Sequence, residues 1–247
     1  MRRIKLVVAY DGTNYHGWQF QPGKSTIEGE LNKTLSELLK EDIEVIGASR
    51  TDAGVHALGN IAVFDTESRI PGDKFAYPLN ERLPWDIRIQ ESEEVSTEFH
   101  PRKCESRKTY EYRILNTKFE IPTKSRYSTH IYYNLDENRM QEAAKHLIGE
   151  HDFTSFCSVN AQSLTRIRTI YDIKVFREND EVVIRVTGNG FLYNMVRIIA
   201  GTLIDVGRGH LEPGEVENIL IKKDRQYAGP TAPPNGLMLV KYNFVDL

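Results

Sequence analysis

The stretch VIGASRTDAGVHALGNIAVF, Val45 to Phe64, sets two short β-branched runs on either side of a polar loop that contains glycine. β-branched residues favour strands, so strands are expected around Ile43 to Ile46 and Ile61 to Phe64, with Ala48 to His56 as the connecting loop. That loop places an arginine, a carboxylate and a histidine (Arg50, Asp52, His56) within seven residues. An aspartate beside glycine is most often a turn former, and an arginine two residues away is most often a surface partner of little energetic worth. Whether the loop does more depends on what surrounds it.

Upstream, Ile4, Leu6 and Val8 alternate as in a half-buried strand, and the polar segment DGTNYHGWQFQPGK leads to a helix. Ser25 and Glu28 have capping-box spacing, and Ile27, Leu31, Leu35, Leu38 and Leu39 recur with a helical period. A short strand is expected at Ile87 to Gln90. After His100-Pro101 the order restarts, with a strand at Thr109 to Leu115 and a helix from Asp136. That helix carries Met140, Ala143, Ala144, Leu147 and Ile148 on one face, and Gly149 is expected to stop it. Strands at Ile173 to Phe176 and Val182 to Val186 flank the turn Glu178-Asn179-Asp180. An apolar helix from Asn194 to Val206, a shorter one at Val216 to Leu220 and a closing strand at Leu237 to Tyr242 complete the chain. The pattern predicts an α+β fold of two similar halves, residues 1–100 and 101–247, each an antiparallel sheet flanked by helices, with a cleft where they meet.

The 247 residues are 40% hydrophobic, enough to bury a core. The longest apolar run near the amino terminus, Leu6 to Ala9, is too short for a signal peptide or a membrane span. Cys104 and Cys157 are the only cysteines and lack CxxC spacing, which argues against a disulfide framework or a thiolate zinc site and for a reducing, cytoplasmic setting. Net charge is −3, yet Arg102 to Arg126 holds eight basic residues against three acidic ones, so that stretch carries +5 and the remainder −8. Such a distribution leaves room for a phosphate-binding face, or for a strand edge guarded by lysines.

Several motifs fail on physical grounds. PGKST, Pro22 to Thr26, resembles the end of a phosphate-binding loop, but Trp18 stands where the first glycine is needed, and Gln19 and Phe20 prevent backbone amides from wrapping a phosphate. GNGFLY, Gly188 to Tyr193, resembles a dinucleotide fingerprint, with Tyr193 in the third glycine's place and no acidic residue closing a second strand. His146 and His151 are separated by five positions and would point about 140° apart on a helix, so they could not share a metal. Ser49, Asp52 and His56 have triad chemistry but lie too close in sequence to be presented as one.

Six segments together change the reading of the Asp52 loop. They are YDGTNYHGWQFQ (Tyr10 to Gln21), SRTDAGVHA (Ser49 to Ala57), RKTYEYRI (Arg107 to Ile114), GEHDFTSF (Gly149 to Phe156), FLYNMVRIIAGTL (Phe191 to Leu203) and AGPTAPPNGLMLVKY (Ala228 to Tyr242). In residues and order the chain resembles the TruA family of tRNA pseudouridine synthases over nearly its full length, with Ser49 where the family commonly has glycine. The resemblance implies the pseudouridine synthase fold and a homodimer acting on tRNA. It also implies isomerisation of uridine at tRNA positions 38 to 40 in the anticodon stem-loop, without cofactor or metal.

By the same resemblance, Asp52 matches the catalytic aspartate, Tyr110 the active-site tyrosine that stacks against the base, and Arg197 the arginine that partners the carboxylate. Elementary chemistry agrees. Aspartate is ionised at neutral pH, and an arginine on a helix as apolar as that around Arg197 is costly unless paired. Arg50 suits base extrusion, since a planar cation can fill the space that a flipped base leaves. Arg102, Lys103, Arg107 and Lys108 are the candidate phosphate contacts. Tyr112, Leu237 and Leu239 are as well explained by a strand core. The rival reading is a non-catalytic RNA stem-loop binding module that uses the same basic strand. A passive binder, however, gains nothing from a carboxylate set beside polyphosphate.

Overall fold

Alternation of apolar and polar residues at the start of the chain carries directly into the first strand. In the computed structural model, which describes residues 1–161 and 163–245, β1 (Arg2–Tyr10) buries Ile4, Leu6, Val8 and Tyr10. The chain divides into two compact units: Met1–Ser106 with the residues from Leu239 onward, and Arg107–Met238. No helix among the described residues is long and apolar enough to cross a membrane.

In the first unit β1 pairs antiparallel with both β3 (His56–Thr66) and β4 (Ile87–Val95), and β2 (Ile46–Gly47) pairs with β3. β2 is shorter than its β-branched run suggests because side chains of α1 (Ile27–Leu39) take the amides that a ladder needs. Ile43 N–H donates to Ser36 Oγ at 3.0 Å and Val45 N–H to Asn32 Oδ1 at 2.9 Å. β3 and β4 instead outrun their apolar cores, since their pairing with β1 continues to Thr66 and Val95, and His56 opens β3 rather than closing the loop. The helix cap is Thr26, not Ser25: Thr26 Oγ1 accepts from Gly29 N–H, and the Glu28 carboxylate accepts from Phe20 N–H at 2.7 Å. Glu28 therefore tethers the preceding loop instead of completing a box. The five-residue α2 (Ala76–Asn80) lies on β4, too short for any apolar period to announce it.

In the second unit β5 (Ser106–Leu115), β9 (Glu181–Gly188), β8 (Ile167–Glu178) and β7 (Gly149–Asp152) follow one another antiparallel, and β6 (Thr129–His130) runs parallel to β5. Asn179 takes a left-handed φ of 54° in the two-residue turn that joins β8 to β9, a conformation asparagine tolerates. Asp136 caps α3 (Glu137–Lys145) as expected, but Gly149 does not stop it. The helix ends at His146, where the chain tightens, Ile148 is exposed, and Gly149 opens β7. His151 therefore lies on a strand, with its Nε2 2.9 Å from the Ile148 carbonyl. Among the described residues no group of three His, Cys, Asp or Glu could hold a metal ion. α4 (Met195–Gly207) is buried along almost its whole length, and α5 (Glu215–Lys222) follows it. A Cβ at Gly201 would fall 1.8 Å from the Pro230 carbonyl oxygen, so helix and loop meet backbone to backbone there. β10 (Leu237–Phe244) closes the chain.

Candidate active site

The Asp52 loop is held by its neighbours rather than by its own turn. Thr51 is buried and its hydroxyl lies 2.8 Å from the Tyr10 hydroxyl, itself buried at the end of β1. Burial pushes the Tyr10 phenol far above its ordinary range, so it stays neutral and keeps this bond. The Thr51 carbonyl accepts from Trp18 N–H at 3.0 Å, Asn60 Nδ2 donates to the Ser49 carbonyl at 2.9 Å, and Ala48 N–H donates to the Ile61 carbonyl at 2.7 Å. The turn itself is closed by Val55 N–H donating to the Asp52 carbonyl. Gly17 permits this closeness: its φ is 90°, and a Cβ there would stand 2.6 Å from the Thr51 oxygen.

Burial alternates along the clamp, with Arg50 exposed, Thr51 buried and Asp52 half-buried. A rigid residue thus separates the loop's exposed cation from its only carboxylate. His56 is buried with Nδ1 3.1 Å from both Gly12 N and Asp11 Oδ1, and the protonation of Nδ1 decides which of the two it bonds. The Ser49 hydroxyl is buried with no hydrogen-bond partner. No triad forms among Ser49, Asp52 and His56. Arg102 is exposed, and its Nε donates to the Gly47 carbonyl at 2.7 Å, bracing the start of the same loop; Lys103 beside it is exposed.

The second unit carries the other candidates. Tyr110 on β5 lies opposite Val186, 7% exposed, with its ring edge-on to Phe191 at 5.3 Å. Tyr112, two residues on, is fully buried; its hydroxyl lies 2.7 Å from Thr129 Oγ1 and donates to the Pro233 carbonyl, and burial pushes its pKa above the usual phenol range. Tyr112 is core. Arg197 is half-buried on α4 among fully buried neighbours. Its Nε donates to the Ala232 carbonyl at 2.7 Å, its Nη1 to Asn194 Oδ1 at 2.8 Å, and its own carbonyl accepts from Ala232 N–H. Arg107 is exposed and stacks over the Tyr171 ring at 4.7 Å, while Lys108 is half-buried. Leu237 and Leu239 are buried, as strand core residues are.

The first unit thus brings Arg50, Asp52 and Arg102 to one loop, and the second brings Tyr110 and Arg197 into its buried framework. Tyr10, Asn60, Asn194 and Ala232 escape the sequence reading, although three of them lie inside motif segments quoted above. Tyr10 and Asn60 left a signal, polarity at positions on apolar strands, whereas Ala232 acts only through its backbone and left none.

A family model described as tRNA pseudouridine synthase matches residues 6–102 and 143–244. A protein of Thermoanaerobacter sp. (strain X514) named tRNA pseudouridine synthase A is 48% identical over 241 residues, covering 98% of this chain and 99% of that protein. The protein of the same name from Caldicellulosiruptor saccharolyticus is also 48% identical, over 97% of this chain and 98% of its own length. That of Exiguobacterium sp. (strain ATCC BAA-1283 / AT1b) is 46% identical, over 100% of both.

Proposed function

Because the chain belongs to the tRNA pseudouridine synthase family, we propose that it converts uridine to pseudouridine in tRNA, at positions 38 to 40 of the anticodon stem-loop, with Asp52 as the nucleophilic carboxylate. In this isomerisation the Asp52 carboxylate forms a bond to the nucleoside and releases it before the product leaves, and the N1–C1′ bond breaks with its electron pair on the uracil. The base turns, C5 bonds to C1′, the C5 proton leaves and N1 takes up a proton. Atoms and electrons balance within the nucleoside, so no redox partner is required.

The observation that carries the reading is the half-buried position of Asp52, the only acidic residue of its loop, beside a residue clamped on both its backbone and its side chain. A carboxylate held this way loses little entropy on reaching the reacting atom. By the resemblance set out above Arg197 is the arginine that partners the carboxylate, and two of its donors are already fixed within its own unit. Tyr110, whose ring meets Phe191 at 85°, is the tyrosine that stacks against the uracil in this reading. Arg50, exposed next to the clamp, assists extrusion of the target nucleotide from its stack. Arg102, Lys103, Arg107 and Lys108 bind tRNA phosphates, which fix the position of the stem-loop without reading its sequence. The enzyme works as a cytoplasmic homodimer, in which a stem-loop bound at one site rests its distal arm on the other subunit.

The test is release of tritium from tRNA labelled at uracil C5, using substrates with uridine at a single candidate position. The parent protein releases it, while Asp52→Ala abolishes release and keeps tRNA affinity within about threefold, as expected for loss of a nucleophile without loss of uniform binding. Turnover by Asp52→Ala refutes the assignment.

A further inference from the structure

The start of α4 is built unlike an ordinary helix terminus. Asn194 occupies the N-cap position with φ 60° and ψ 8°, in the left-handed region, and its side chain makes no capping bond. Asparagine is a preferred cap because its side-chain oxygen satisfies a first-turn amide, and here that oxygen is directed elsewhere. Oδ1 accepts from Arg197 Nη1 at 2.8 Å, and Nδ2 donates to Ser158 Oγ at 2.8 Å. Ser158 N–H in turn donates to the Tyr193 carbonyl at 3.1 Å, so the segment after Phe156 is tied to the helix start twice.

These bonds have one geometric result. A guanidinium is planar, and Arg197 is gripped at Nε by Ala232 and at Nη1 by Asn194, two residues on separate elements. Two anchors on a plane remove its rotation about the Cδ–Nε bond, so the donors that remain point in set directions. Asparagine meets both demands of the position. Its backbone tolerates the left-handed conformation, and its amide can accept on one side while donating on the other.

We propose that Asn194 is a positioning residue for the isomerisation: through Oδ1 it sets the plane of the Arg197 guanidinium, with Ser158 holding the Asn194 amide in turn. This rests on the reading of Arg197 given above, in which the guanidinium serves the reacting carboxylate. In this reading the effect of Asn194 reaches the reaction only through Arg197.

The experiment compares four variants of the full protein by steady-state tritium release, tRNA binding and thermal unfolding. Asn194→Gly keeps the left-handed backbone accessible and removes both side-chain bonds. It lowers kcat by about tenfold with KM and tRNA affinity within about twofold of the parent, the signature of misplaced rather than missing machinery. Ser158→Ala, which removes only the outer bond, lowers kcat in the same sense by a smaller factor. Arg197→Lys, which cannot form the fork, lowers kcat further, and adding Asn194→Gly to it produces no additional loss.

Parental kcat in a folded Asn194→Gly, or multiplicative losses in the double variant, overturns the proposal. Should Asn194→Gly not fold, parental kcat in Ser158→Ala overturns it equally. Full activity in Arg197→Lys defeats the reading of Arg197 and the inference with it. Loss in Arg197→Lys with none in Asn194→Gly defeats the inference alone.

Discussion

Tyr10 shows how far the geometry around Asp52, the proposed nucleophile, is set by the residue beside it. Its hydroxyl meets Thr51 Oγ1 in a buried site, with Asn60 Nδ2 at 3.5 Å on the same oxygen. Tyr10→Phe removes the bond and strands a buried threonine hydroxyl, at a cost of about 1–3 kcal/mol. The expected outcome is a lower urea midpoint together with reduced kcat in tritium release and unchanged tRNA affinity. Unchanged kcat with a lowered midpoint would confine Tyr10 to stability. Asp52 entered the sequence reading through the six matching segments, since alone an aspartate beside glycine reads as a turn former, and Arg197 entered through the same resemblance, with the cost of a cation on an apolar helix pointing the same way. The Tyr10–Thr51 bond was not legible. It joins residues 41 positions apart, and at the sequence level Tyr10 is simply the next buried position of an alternating strand.

At the scale of elements, the loop between β1 and α1 is shaped around the Asp52 loop through Gly17. Gly17→Ala combines a left-handed φ of 90° with a Cβ 2.6 Å from the Thr51 oxygen. Its expected effect is a loss of roughly 2–3 kcal/mol and a drop in turnover, since the displaced backbone flanks Asp52. Gly23→Ala is the control: φ is 72° with no atom near the added Cβ, so only the backbone cost of about 1 kcal/mol applies, with no effect on turnover. Equal effects of the two substitutions would refute the steric argument. Periodicity located α1 and most strands here but not the five-residue α2, and the lengths followed other rules. Asn32 and Ser36 shorten β2 by claiming its amides, whereas pairing across β1 lengthens β3 and β4 past their apolar residues. These are tertiary bonds, which a local pattern does not contain.

For the whole molecule, acid stability depends on carboxylates gripped by arginines in each unit. The Arg3 guanidinium holds the Asp65 carboxyl below its ordinary value through bonds of 2.7 Å, and Arg177 does the same for Glu137 in the second unit. A carboxyl lowered on folding contributes fully above its unfolded value, about 3.9 for aspartate, and loses that contribution as pH falls through the folded value. Asp65→Asn therefore costs about 1 kcal/mol at pH 7, and the gap from the parent narrows below about pH 4. Urea midpoints across that range test this, and a gap independent of pH refutes it. One further consequence concerns the order in which the chain can assemble. Tyr242 donates to the Pro101 carbonyl across 141 positions, and the Phe244 ring meets Phe99 at 5.2 Å, so the first unit is sewn shut by residues made long after the rest of it. The intervening unit is contiguous and can collapse on its own local contacts, while the earlier-made residues wait for a distant seam; the entropy of that closure grows only logarithmically with the length of chain enclosed.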